Sequence, residues 1–146
     1  MRHFSLITGG FFLLFSFSLS ATELKVHITS IDDVKGGNIM VGVYESEATF
    51  LNDDGRIAQA SVPATEAKAG LLMTQFDLQV GKTYAIAAYH DANGNEKLDT
   101  NFFGIPKEGY GFSNNARGTF GPPSFEKAAF QVILEKNQFV SLYLSY

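Results

Sequence analysis

Cysteine is absent from this 146-residue chain. No disulfide can therefore brace the fold, and thiolate ligands for a soft metal are excluded. An excess of positive charge is also missing: 11 Lys and Arg stand against 15 Asp and Glu, a formal charge of −4. With no basic cluster either, the composition argues against a nucleic-acid partner. No stretch sustains a helical period, and there is no internal repeat or low-complexity tract. Beyond the N-terminus no apolar run is long enough to span a bilayer, so no transmembrane segment is expected in the mature chain.

What is present begins with Arg2 and His3, then an apolar run over residues 4–19. Small residues follow in Ser18-Leu19-Ser20-Ala21. The run is shorter than the ~20 residues of a membrane span. A charged start, an apolar stretch and small residues at a cleavage point predict a secretory signal peptide over 1–20. The expectation is an exported protein, periplasmic or extracellular, with one domain over 21–146. A chain of that size can bury about two-thirds of its unfolded surface, enough for one core.

Alternation with a period of two marks the strands. Leu24, Val26 and Ile28 form one such set, and Ile39, Val41 and Val43 a second. A weak strand over 57–62 ends at Pro63 and reads as an edge. Leu72, Thr74, Phe76 and Leu78 give a fourth. Residues 83–90 are apolar on both faces, with Tyr84, Ile86 and Ala88 opposite Ala85, Ala87 and Tyr89, as a central strand requires. Residues 125–134 and 139–146 complete about seven. The predicted class is all-β: a two-layer antiparallel β-sandwich, immunoglobulin-like or prealbumin-like, carrying one long ordered loop over 90–123. The alternating, aromatic-ended C-terminus leaves a small outer-membrane β-barrel as an alternative.

The loop holds the strongest local signal, Asp91-x-Asn93-x-Asn95-x-x-x-Asp99. Oxygen donors at every second position converge when a chain curls around a cation, and calcium takes six to eight hard oxygens. Asp91, Asn93, Asn95 and Asp99 offer side-chain oxygens, and Lys97 falls where such loops use a backbone carbonyl. Glu108 or Asn101 is available to complete the shell. The pattern departs from an EF-hand in having Glu96 at the sixth position, where glycine is required, and Phe102 at the twelfth, where a bidentate Glu is required. The same residues also suit plain turns, since Asn-Gly and Asp cap turns without metal. With two carboxylates, affinity is expected at roughly 0.1–1 mM.

His90 beside Asp91 raises a hydrolase alternative in which the imidazole acts as general base. No nucleophile-elbow pattern accompanies it, so no catalytic residue is assigned. The second half of the loop, from Gly109 to Asn115, alternates glycine with aromatics. This suits either self-packing or a surface that grips a protein or glycan. The binding candidates are His90, Lys107, Glu108, Tyr110, Phe112, Asn114 and Arg117.

The run His90-Asp91-x-Asn93-x-Asn95-x-x-x-Asp99-Thr100-Asn101, with Gly111-Phe112-Ser113-Asn114-Asn115 and Gly121-Pro122-Pro123, resembles a family of small exported bacterial proteins with a domain of unknown function. The resemblance spans roughly 24–134 and implies no activity. Residues 91–99 are more loosely similar to the calcium loops of prealbumin-like domains in bacterial surface proteins, which implies an ion that stiffens a β-sandwich.

Overall fold

The computed structural model describes residues 20–146. The expected leader lies, but for Ser20, outside the described residues. Eight strands form two sheets: β1 (Ala21–Thr29), β2 (Asn38–Tyr44), β3 (Ala58–Pro63), β4 (Leu72–Gln79), β5 (Thr83–Asp91), β6 (Tyr110–Phe112), β7 (Phe130–Gln131) and β8 (Phe139–Tyr143). One sheet has the order β4-β1-β8, the other β3-β2-β5-β6 with β7 also on β5. This is the expected all-β sandwich, with two open sheets in place of the alternative closed barrel.

The period of two becomes layer packing. Leu24, Val26 and Ile28 of β1 face Ile39, Val41 and Val43 of β2 and Tyr84 and Ile86 of β5 across one buried apolar core. β3 is an edge and β5 is central, as the patterns predict. A smaller cluster of Ala85, Phe112 and Ala128, flanked by Phe50 and Phe125, covers the outer face of β5.

Three features differ from the expectation. The sandwich is not wholly antiparallel, because β8 runs parallel to β1, with Val26 opposite Val140 and Ile28 opposite Leu142. The stretch 125–134 is not one strand: Phe125–Ala128 forms a single helical turn, α1, and only Phe130 and Gln131 pair, with Tyr84 and Thr83. Its alternating apolar residues serve two clusters, Ala128 outside β5 and Val132 inside the main core. Finally, the long loop contains β6. Short β6 pairs β5 through Tyr89↔Tyr110 and Ala87↔Phe112, which divides the loop into two arms.

The chain end joins the layers. Leu144 N–H donates to Thr29 in the first sheet (3.0 Å). One residue on, Ser145 exchanges two hydrogen bonds with Tyr110 in the second (2.9 and 3.0 Å).

Candidate functional site

The arm between β5 and β6 leaves β5 at Asp91 and returns at Gly109. Asp91 is 1% exposed. Its carboxylate accepts the N–H groups of Gly94 (2.8 Å), Asn95 (3.0 Å) and Glu96 (2.9 Å). Farther along, Asn93 Oδ1 accepts from Asn95 N–H and Asn95 Oδ1 from Lys97 N–H, each two residues on. These local bonds are what Asp and Asn supply in place of regular secondary structure, and they wind the chain into a tight coil. Gly94 takes φ +74°. Glu96 takes φ +61°, a left-handed conformation that strains a side chain with a Cβ.

Asp99 closes the coil. Its carboxylate accepts from the side-chain amides of Asn93 (2.6 Å) and Asn95 (3.1 and 3.2 Å). Glu108 then ties both ends, one oxygen accepting from Ala92 N–H and the other from Asp99 N–H, each at 3.0 Å. Tyr89 OH donates to Glu96 O at 2.8 Å, and burial, then the nearby Asp91 charge, raises the Tyr89 pKa above 10.0. Asn93, Asn95 and Asp99 thus meet side chain to side chain, while the Asp91 carboxylate is engaged by the backbone of the same coil. Among the described residues no three His, Cys, Asp or Glu side chains gather into a metal cage. A cation in this coil would draw on the amide oxygens of Asn93 and Asn95, each with a second lone pair, and would displace their N–H groups from Asp99.

Beyond Asp99 the arm turns back on itself. Thr100 bridges Pro106, and Asn101 N–H donates to Ile105 O at 2.8 Å. Asn101 Oδ1 accepts from both Phe103 N–H (2.9 Å) and Ile105 N–H (3.0 Å). The result is a small closed tip. Phe102, which stands where an EF-hand has its last ligand, is 97% exposed, Phe103 82% and Ile105 59%. No periodicity marks this tip; two adjacent phenylalanines amid polar residues are its one signal in the sequence.

His90 lies on the inner face of β5, two residues beyond Ala88, and is completely buried. Nε2 is 2.6 Å from Gly36 O, which can only accept, so Nε2 carries the hydrogen. In the neutral ring Nδ1 is then the acceptor for Tyr146 OH at 2.7 Å, and that hydroxyl accepts in turn from Asp32 N–H at 3.1 Å. Burial holds the Tyr146 pKa above its usual 10.0, which keeps the hydroxyl a donor. Both ring nitrogens are occupied and no solvent reaches them. A general base needs a free nitrogen facing a substrate, so the hydrolase alternative does not fit this imidazole.

The other candidates are scattered. Lys107 is exposed beside the tip, while Glu108 is spent on the backbone. Phe112 is buried in the outer cluster. Asn114 is exposed, but its amide donates to Ala129 O at 2.8 Å, just past the end of α1. Tyr110 and Arg117 border a cleft of about 60 Å³ with Tyr143, over whose ring the guanidinium lies at 5.9 Å. Pockets for organic ligands are about 300–1,000 Å³. This cleft holds no more than a few waters.

Comparison with protein families matches residues 26–140 to a bacterial family described as uncharacterised protein conserved in bacteria, DUF2141. The chain belongs to that family. No curated protein and no solved structure matches it.

Proposed function

We propose that this family member is an exported β-sandwich module whose 91–101 loop takes a calcium ion and, once ordered, serves as an interaction surface. The observation that carries the reading is one coil, wound by Asp91 and closed at both ends by Glu108, in which the side chains of Asn93 and Asn95 meet Asp99. Calcium takes hard oxygens from residues of these types in such loops, and soft or nitrogen-rich coordination has nothing to draw on here. The leader-like first 20 residues support export, which brings the loop to compartments where calcium is abundant enough for a weak site.

The expected energy is small. At about 1 mM free calcium and a dissociation constant of ~0.1 mM, binding adds ~1.4 kcal/mol. For a domain of this size that raises the melting temperature by about 5 °C. Thermal unfolding in millimolar calcium and in chelator tests it. The parent protein is expected to shift, and Asp99→Ala to lose the shift while keeping its fold. A parent melting curve indifferent to calcium would refute the ion.

A further inference from the structure

We infer that the tip formed by residues 100–106 docks on a lipid bilayer, with Phe102, Phe103 and Ile105 entering the interfacial layer. This names a partner for the proposed interaction surface and rests on that reading, but it does not need the calcium ion. The tip is convex. Its two phenyl rings sit edge to face with centroids 5.5 Å apart and almost no neighbouring protein. Exposure of this kind is uncommon unless something covers it.

The chemistry favours lipid over a glycan or a protein groove. A sugar is gripped by an aromatic platform together with free hydrogen-bonding groups. Here the polar groups are used internally: Asn101 Oδ1 on Phe103 and Ile105 N–H, Asn101 N–H on Ile105 O, Gly104 N–H on Asn101 O, and Lys107 N–H on Asp99 O. A loop enters an apolar layer at low cost only where its backbone is satisfied from within. Here most N–H groups are, and the apical carbonyls of Phe102, Phe103 and Gly104 stay at the level of the headgroups, where water reaches them. Residues 100–106 carry no charge. Exposed Lys97 and Lys107 flank them alongside exposed Glu96, while the neighbouring Asp99 and Glu108 carboxylates are held by hydrogen bonds in the coil. Lysine stems of this kind can reach phosphate headgroups while the rings go deeper. A bilayer needs no matching cavity to receive a protruding pair of rings.

The chain has no tryptophan, so Phe102→Trp supplies a single reporter at the tip. Protein recovered after export, with its N-terminus verified by mass, is mixed with phosphatidylethanolamine–phosphatidylglycerol vesicles. The expected result is a blue shift of the emission and its quenching by bromine-labelled acyl chains. In the parent background, Phe102→Ser with Phe103→Ser is expected to lower vesicle partitioning about tenfold or more, while Phe102→Leu with Phe103→Leu retains it. Emission indifferent to vesicles overturns the inference. So does partitioning that survives the double serine variant, or self-association that the serine variant abolishes in the absence of any vesicle effect. Vesicle binding in a protein whose melting curve is indifferent to calcium sustains the bilayer and overturns the ion. A calcium-dependent melting shift without vesicle binding does the reverse.

Discussion

A histidine followed by an aspartate at the end of a strand reads as chemistry, yet His90 is a cross-link. Its ring joins the carbonyl of Gly36, in the turn before β2, to the hydroxyl of Tyr146 at the end of the chain. Tyr146→Phe leaves buried Nδ1 without its donor and is expected to cost about 1–3 kcal/mol, read from urea unfolding. The same residue gives a pH dependence. Burial raises the Tyr44, Tyr89 and Tyr146 pKa values above 10.0 in the folded state, so the fold favours their neutral forms. That contribution is complete below pH 10 and is lost as pH rises through the folded values. The urea midpoint is expected to hold from pH 8 to 10 and to fall beyond it, less steeply for Tyr146→Phe. Glu96 is the opposite case: its side chain is exposed and its backbone is strained at φ +61°. Glu96→Gly is expected to stabilise the protein by about 0.5–1 kcal/mol, measured in the same assay, because relief of the left-handed strain exceeds the entropy that glycine adds to the unfolded chain.

Among the elements, the strands of regular period were legible, and 125–134 was not. Alternation over Ala128, Phe130 and Val132 is genuine, but the residues it buries face two clusters on opposite sides of β5. Ser113 decides the path. Its hydroxyl donates to Ala128 O (2.6 Å) and accepts from Ile86 N–H (2.9 Å), which docks α1 against β5 where β6 has ended. No periodicity encodes that contact. Ser113→Ala unpairs a buried amide and a buried carbonyl and is expected to cost about 2–4 kcal/mol in urea unfolding. The coil behaves as an element of its own. Glu108→Gln keeps the size of the side chain but turns one acceptor into a donor that faces a backbone N–H. It is expected to raise amide exchange at Ala92 and Asp99 while leaving β5 protected.

For the whole molecule, the last three residues carry more than their number suggests. Leu144 is fully buried and bonds to the first sheet, Ser145 bonds to the second, and Tyr146 closes on His90. Removing residues 144–146 is expected to cost about 4–6 kcal/mol, the sum of one buried leucine and several hydrogen bonds. That is a large share of the 5–15 kcal/mol typical of a domain. A fall in melting temperature of more than about 10 °C checks it.

The sequence by itself determined the layered β class, the edge and central positions of β3 and β5, and the clustering of oxygen-bearing side chains between 91 and 99. Each follows from local rules, since alternation selects a face and Asp or Asn bonds to backbone a few residues on. Only the tertiary structure decided that β8 runs parallel to β1, that His90 is sealed by the chain end, and that Phe102 and Phe103 stand uncovered. Those depend on pairs far apart in sequence, such as His90 with Tyr146, and on which apolar side chains the two sheets leave outside the core once they have packed.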